Sequence, residues 1–223
     1  MNNQKPFILA VSTGEGIGEL LLELGADGLL NTDDAESLVA DDFRFAIQKS
    51  GSDCLLVIPN GESAYAEAIS AADSITQSSD TAPEVSRSIC ILPSKTFAEG
   101  YAALASMPFG ESLENQYFAA ISAISAVTPI DIRRESCDLF DKYSATSRGV
   151  RYSLAGSAEA ALLESIEQLF LPTHRIITLI VGMGVSNARR VFATERLMEI
   201  YPDSQIIVYI GGQTDTEYYI AIR

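Results

Sequence analysis

Residues 7–25 read FILAVSTGEGIGELLLELG, and the order of residue types in this stretch decides the fold. The apolar run Phe7–Val11 is typical of a strand that is buried on both faces, and the glycines at 14 and 16 indicate a turn. Apolar side chains then recur every three or four residues up to Gly25, as they do along the buried face of a helix. The stretch therefore predicts a strand followed by a helix, which is the building block of a parallel sheet.

Two further strand and helix pairs follow the first one. Residues 53–58 predict a strand and residues 62 to about 75 a helix, after which a polar loop is predicted at 76–88. Residues 88–92 then predict a third strand, and residues 97–106 predict an alanine-rich helix. Three such units in succession favour a parallel sheet that is covered by helices.

The pattern changes after residue 109. Short strands are predicted within 131–155 around a Ser-Arg-Gly turn, and an amphipathic helix follows from Ser157. Three more strands are predicted at 176–181, 204–210 and 217–222, and the last two could pair as a hairpin. The sequence thus predicts an α/β protein with two lobes. Residues 1–109 form a lobe of three βα units around a parallel sheet, and residues 110–223 form a second α/β lobe with a mixed sheet and helices.

The composition limits where the protein acts and what it binds. Of 223 residues 47% are hydrophobic, which is enough for a core, but each apolar run is far shorter than the roughly 20 residues that a membrane span needs. We therefore expect no membrane insertion, and because the first residues lack the apolar core of a signal peptide we expect a cytoplasmic protein. The 30 acidic and 15 basic residues give a net charge of -15, which predicts no nucleic-acid binding. The same charge can attract a basic protein partner, although a merely soluble surface explains it equally well.

Three loops that follow predicted strands form the best candidate binding surface. The carboxyl ends of parallel strands meet at one edge of a sheet, where open α/β folds hold ligands, so we expect these loops to lie close together. Each loop also opens a helix, whose N–H groups can bind an anion. A tight turn at the glycines and a helix cap at the hydroxyl residues are the alternatives, and the first loop lacks the spacing of the nucleotide-binding motifs. The residues concerned are Gly14, Glu15 and Gly16 in the first loop, Asn60 in the second, and Ser94, Lys95 and Thr96 in the third.

The sequence contains no recognisable catalytic or metal-binding constellation. His174 is the only histidine and no GxSxG motif accompanies it, so we expect it to be exposed or structural. Cys54, Cys90 and Cys137 lack zinc-ligand spacing, and the first two lie in apolar strand segments, which indicates buried free thiols. We therefore predict neither a catalytic residue nor a metal site in this chain.

Four segments, taken together and in order, resemble one protein family. They are ILAVSTGEGIGELLLELGAD, LLVIPNGESAYAEAISAAD, ICILPSKTFAEGYAALASM and IIVYIGGQTDTEYYIAIR, which contain the strings GEGI, IPN, LPSK-x-x-x-x-G and GGQ followed by YYI. This combination resembles the C-terminal domain of the bacterial fatty acid kinase large subunit, in a dihydroxyacetone-kinase-like family with a DegV-like fold. The GGQ string adds Gly211, Gly212 and Gln213 to the candidate ligand-binding or partner-binding residues.

The resemblance implies a function. In that family a separate N-terminal kinase domain uses ATP and Mg²⁺ to phosphorylate a fatty acid that a DegV-type protein holds. The chain is therefore expected to hold no cofactor of its own, to be inactive alone and to dock the DegV-type fatty-acid-binding protein, and a homodimer is possible through domains outside it. A second hypothesis is a small-ligand or fatty-acid-binding protein of DegV-like fold. A third, a free-standing enzyme, needs a catalytic constellation that the sequence lacks.

Overall fold

The computed structural model describes residues 5–79, 88–136 and 141–223. Most of the loop predicted at 76–88 and the cysteine at 137 lie outside these residues. The chain divides into two compact units: unit 1 comprises Met1–Thr13 and Gly18–Ser125, and unit 2 comprises Gly14–Ile17 and Ala126–Arg223. Among the described residues no helix combines the length and the hydropathy that crossing a membrane requires.

Unit 1 contains a four-stranded parallel sheet in the order β2-β1-β3-β4. Its strands are β1 (Phe7–Ser12), β2 (Gly28–Asn31), β3 (Cys54–Ile58) and β4 (Ser88–Ile91). Its helices are α1 (Glu15–Glu23), α2 (Ala40–Ser50), α3 (Glu62–Ser79), α4 (Phe97–Ser106) and α5 (Leu113–Ala126), with a short 3-10 helix at Ala35–Ser37. The three predicted βα units are confirmed, whereas the short strand β2 was not anticipated. The helix α3 also extends beyond its predicted end near residue 75.

The core of unit 1 lies between the sheet and the helices α2 and α3. Phe43 and Ile47 of α2 are fully buried against the apolar side chains of β1 and β3. The helix α3 contributes mainly alanines, Ala64, Ala68 and Ala71, which recur on one helical face and are fully buried. Because these side chains are small, α3 can approach its neighbours closely, and burial of the strand leucines and valines supplies the hydrophobic stabilisation.

Unit 2 contains a six-stranded mixed sheet in the order β7-β6-β5-β10-β8-β9. Among these described strands only β8 and β9 pair in parallel, and the other neighbours are antiparallel. The strands are β5 (Thr128–Ser136), β6 (Asp141–Ser147), β7 (Val150–Ala155), β8 (Ile176–Val181), β9 (Gln205–Ile210) and β10 (Tyr218–Ile222), and the helices are α6 (Ala158–Leu169) and α7 (Asn187–Ile200). The predicted class, a parallel sheet in one part of an α/β chain and a mixed sheet in the other, is confirmed.

The predicted hairpin between the last two strands is wrong. The helix α7 carries the chain from β8 to a parallel position beside it, so β9 lies at the edge of the sheet. The strand β10 instead lies between β5 and β8 and pairs with both. All five residues of β10 are buried, which is the environment of a central strand, whereas β9 is half-buried.

The structural division of the chain lies after Ser125, later than the boundary predicted at residue 109. The helix α5 belongs to unit 1 together with the loop that precedes it. The Nε2 atom of the buried Gln116 donates hydrogen bonds to the carbonyl oxygens of Pro108 (3.4 Å) and Glu111 (3.2 Å). The change in sequence texture near residue 109 therefore coincides with a loop inside unit 1, which the buried amide of α5 holds in place.

Candidate functional site at the carboxyl edge of the parallel sheet

Asn60 connects the carboxyl ends of three strands of unit 1. Its Nδ2 donates to the carbonyl oxygen of Val11 in β1 (2.8 Å), and its own N–H donates to Oγ of Ser94, which follows β4 (3.2 Å). Asn60 itself follows β3 and adopts a left-handed backbone with φ of 59°, which asparagine tolerates better than most residues. Both side chains are buried, so this small network is shielded from water.

The glycine of the LPSK-x-x-x-x-G string, Gly100, makes room for this network. A Cβ atom on Gly100 would lie 1.7 Å from Oδ1 of Asn60, a distance at which two atoms cannot coexist. Oδ1 is buried and has no hydrogen-bond partner among the described residues. The IPN and LPSK-x-x-x-x-G strings are thus complementary parts of one packed cluster, in which Asn60 and Ser94 come together as the sequence predicted.

The amino end of α3 is occupied by a carboxylate of the chain itself. Glu36, in the short 3-10 helix, accepts hydrogen bonds from the N–H groups of Glu62 (2.9 Å, to Oε1) and Ser63 (2.7 Å, to Oε2). Asp34 caps the 3-10 helix by accepting from the N–H of Glu36 (2.9 Å), which fixes the position of that residue. The first N–H groups of a helix attract anions, and here Glu36 supplies the anion.

The amino end of α4 is satisfied in the same manner. Thr96 and Glu99 form a capping box: Oε2 of Glu99 accepts from the N–H groups of Lys95 (2.8 Å) and Thr96 (3.2 Å), while Oγ1 of Thr96 accepts from the N–H of Glu99 (3.3 Å). The Nζ of Lys95 lies 2.7 Å from Oε1 of Glu62, and the hydrogen bond to that carboxylate raises the pKa of the exposed ammonium. Thr96 acts as a helix cap, and Lys95 points to the surface of α3.

The glycines of the first loop meet the GGQ string within unit 2. The N–H of Ile17 donates to the carbonyl oxygen of Gly211 (2.9 Å), and a Cβ on Gly16 would lie 2.0 Å from the carbonyl oxygen of Ile210. Gly14 is equally close to the 211–213 backbone, so both glycines serve close backbone packing. Gln213 is fully buried, and its Nε2 donates to the carbonyl oxygen of Ile180 (3.1 Å).

The ten candidate residues therefore form two packed clusters. Asn60, Ser94, Lys95 and Thr96 lie at strand and helix ends of unit 1. Gly14, Glu15, Gly16, Gly211, Gly212 and Gln213 lie in unit 2, where Glu15 is exposed at the start of α1. Sequence reasoning missed Glu36, Glu99 and Gly100 as parts of these clusters. The Thr-x-x-Glu spacing was a visible sign of the capping box, whereas the contact of Glu36 with α3 has no local signature.

A buried polar network in unit 2 was also not anticipated. Nε of Arg189 donates to Oε1 of Glu159 (2.8 Å), and Nη1 donates to Oε2 of Glu217 (3.3 Å). The hydroxyl of the fully buried Tyr218 donates to the same oxygen of Glu159 (3.0 Å). Burial opposes the charge of Arg189, but the two carboxylates outweigh it and raise its pKa; burial and the adjacent Glu159 raise the pKa of Tyr218. The network joins the first turns of α6 and α7 to the central strand β10.

The remaining groups that could carry chemistry are held by the fold. Nδ1 of the buried His174 accepts from the N–H of Leu171 (2.9 Å), its ring packs edge-on against Phe170, and burial lowers its pKa. Cys54 and Cys90 are free thiols whose pKa values are raised by burial. Within residues 5–79, 88–136 and 141–223 no three His, Cys, Asp or Glu side chains form a group that could hold a metal ion.

Comparison with known proteins identifies the family. The model of the FakA-like C-terminal family, which represents the C-terminal part of fatty acid kinase subunits of this type, matches residues 7–136, more than half of the chain. The chain belongs to this family. The matched region holds the GEGI, IPN and LPSK-x-x-x-x-G strings, so it includes the cluster around Asn60.

Curated relatives of the chain are longer proteins. An uncharacterized protein of Staphylococcus saprophyticus is 22% identical over 225 residues, which cover 97% of this chain and 39% of the relative. An uncharacterized protein of Staphylococcus aureus (strain USA300) is 20% identical over 231 residues, which cover 100% of this chain and 40% of the relative. The chain therefore spans about two fifths of the length of these relatives.

Solved structures show the same fold at low sequence identity. A DegV lipid binding protein from Thermotoga maritima has a TM-score of 0.67 and 12% identity, with 99% of this chain and 98% of that chain covered. A DegV family protein from Thermus thermophilus, described by its fatty acid binding, has a TM-score of 0.66 and 9% identity, with 98% and 99% covered. The dihydroxyacetone kinase of C. freundii has a TM-score of 0.60 and 13% identity, and the match covers 99% of this chain but 48% of the kinase. The family thus shares the DegV and dihydroxyacetone kinase architecture.

The packing of Asn60 against Gly100 predicts the effect of one methyl group. Gly100→Ala is expected to displace the Asn60 amide and lower the free energy of unfolding by about 2–4 kcal/mol, because a buried clash and lost hydrogen bonds combine. Urea unfolding followed by circular dichroism measures this change. Gly156→Ala is the matched control, since a Cβ there meets nothing within 4 Å. Equal unfolding midpoints for the two variants would contradict the role of Gly100.

The burial of His174 predicts a pH dependence. Its pKa in the folded chain should lie below the ordinary value of about 6.5, and in the urea-unfolded chain it should return to that value. The folded state favours the neutral ring, so its contribution to stability is complete above about pH 6.5 and falls as the pH drops toward the folded pKa. Because the chain has one histidine, a single Cε1–H resonance in an NMR titration reports the value. A folded pKa at or above 6.5 would be inconsistent with the buried ring.

Proposed function

We propose that this chain is the non-catalytic C-terminal domain of a dihydroxyacetone-kinase-like fatty acid kinase subunit, and that it docks the DegV-type protein that carries the fatty acid. A separate kinase domain, in the part of the longer protein that this chain does not span, would bind ATP and Mg²⁺ and form the acyl phosphate. Membership of the FakA-like C-terminal family supports the proposal. Any homodimer of the longer protein is proposed to form through those other domains.

The observation that favours docking over ligand binding is the state of the sheet edge in unit 1. Open α/β folds hold anionic ligands at helix amino ends beside the carboxyl ends of the strands. In this chain Glu36 accepts from the first N–H groups of α3, and Glu99 accepts from the N–H groups that precede α4. A fatty acid carboxylate would have to displace one of these carboxylates, which supports a domain that works through its surface.

A fatty-acid-binding protein of DegV-like fold is the alternative. It is favoured by the architecture that the chain shares with a DegV lipid binding protein over nearly its full length. The two functions make different demands on the same edge: a ligand-binding domain needs free donors there, whereas a docking domain needs a stable one. The internal carboxylates meet the second demand, and direct titration with a fatty acid separates the alternatives.

The charge of the chain indicates the kind of partner surface that it would meet. Fifteen Lys and Arg residues stand against 30 Asp and Glu residues, which gives a net charge of -15. Such a surface attracts a basic partner over distances comparable to the Debye length, about 10 Å at 0.1 M salt. We therefore propose that the docking face of the DegV-type protein is basic, and that association is steered by charge.

Calorimetric titration of the chain with a purified DegV-type protein from the same organism, loaded with fatty acid, tests the docking role. We expect binding that weakens about tenfold or more between 50 and 300 mM NaCl, because salt screens the acidic surface. The absence of binding at both salt concentrations would contradict the proposal.

The same chain titrated with palmitic acid below its critical micelle concentration tests the alternative. The docking proposal predicts no saturable heat, because Glu36 and Glu99 already occupy the helix amino ends. Saturable binding of one fatty acid per chain, together with no affinity for the DegV-type protein, would favour the ligand-binding function. Glu36→Gln is an informative second sample, since it keeps the size of the side chain and removes the internal charge.

A further inference from the structure

The strand β9 forms an open, apolar edge of the six-stranded sheet. Among the described residues it pairs with β8 alone, so its outer N–H and C=O groups face away from the sheet. Its sequence, QIIVYI at 205–210, contains no charged residue and no proline, the two features that usually protect an edge strand. Ile210 is exposed, and the four residues before it are half-buried. An edge of this kind is suited to accept another strand.

The helix α7 carries apolar side chains on its solvent side next to this edge. Only Ala193 and Leu197 of the helix are buried. Val191 and Met198, seven residues apart and hence on one helical face, are 42% and 52% exposed. Phe192 and Ile200 are exposed as well, which is unusual for the outer surface of a helix that has no further partner.

Helix and strand together enclose a groove of about 350 Å³. It is lined by Arg190, Val191, Thr194, Glu195 and Met198 of α7 and by Val208 of β9. Val208 is the fourth of the six residues of β9, so the groove runs beside the middle of the open edge. A strand added to β9 would place every second side chain in this groove, which is how peptide-binding sheet edges combine main-chain hydrogen bonds with side-chain pockets.

Charge decides between the possible occupants. Glu195 lines the groove and Glu199 lies one helical turn further along α7, and the whole chain carries a net charge of -15. Two copies of the chain would bring these like charges together, which disfavours a symmetric pair of β9 edges. An extended segment with apolar residues at alternate positions and a Lys or Arg near Glu195 fits both the groove and the charge.

We propose that the face formed by α7 and β9 is the docking surface for the DegV-type partner, which adds an extended, basic segment to the edge of the sheet. This inference rests on the docking function proposed above and assigns it a place. The surface lies wholly within unit 2. Main-chain hydrogen bonds to β9 supply part of the affinity, and apolar side chains in the groove beside Val191 and Met198 supply the rest.

The test is calorimetric titration of the 223-residue chain and its variants with the DegV-type protein. Met198→Glu and Val191→Glu should each weaken binding about tenfold or more, because they place a charge in the apolar groove. Phe45→Glu is the matched control: Phe45 is 68% exposed on α2 of unit 1, and this variant should bind as the unchanged chain does. Circular dichroism confirms that all three variants fold.

A second pair of variants tests the charge. Glu195→Lys should weaken binding about threefold to tenfold and reduce its salt dependence. Glu114→Lys, at an exposed position of α5, changes the net charge equally and should have little effect. If all variants bind as the unchanged chain does, this surface is excluded while the docking function stands; if the unchanged chain itself does not bind, both fail. Sedimentation showing a dimer that Met198→Glu dissociates would assign the surface to a second copy and overturn the inference.

Discussion

The side chain of Asn60 is the constraint on which the edge of the parallel sheet depends. One amide group accounts for the position of three strand ends, because Nδ2 holds the carbonyl of Val11 while the backbone N–H holds the hydroxyl of Ser94. The left-handed backbone that aims this side chain is tolerated by asparagine, and the space that its oxygen occupies exists only above a glycine. Two family strings that are remote in sequence are therefore one packing solution.

The same edge shows how a fold shared with lipid-binding proteins can lack their need for a ligand. Helix amino ends at a sheet edge present unsatisfied N–H groups that must find acceptors. A ligand can supply those acceptors, or the chain can do so with its own side chains. Here Glu36 and Glu99 supply them, so the two helices are complete before any other molecule arrives. Resemblance in fold thus leaves open which of the two arrangements a given member uses.

The sequence predicted what depends on local pattern and missed what depends on remote contacts. Each βα unit begins with a continuous apolar run, which is a strong signal, whereas β2 consists of four residues, GLLN, that lie half-buried and give little pattern. Strand order was beyond reach because adjacency in sequence does not fix adjacency in a mixed sheet, as β9 and β10 demonstrate. In the candidate site, the Thr96–Glu99 cap had a visible spacing, but the contacts of Glu36 and Gly100 join segments that only the tertiary fold brings together.

The central position of β10 has a consequence for biosynthesis. This strand follows every other described strand in sequence, yet it lies between β5 and β8 and pairs with both. While the ribosome is still translating residues 218–222, β5 and β8 have no common neighbour, and the sheet of unit 2 remains in two pieces. The parallel sheet of unit 1 needs no such late strand, so it can assemble during translation. The two halves of the polypeptide would then acquire their structures one after the other, with the apolar edges of β5 and β8 exposed to chaperones in the interval.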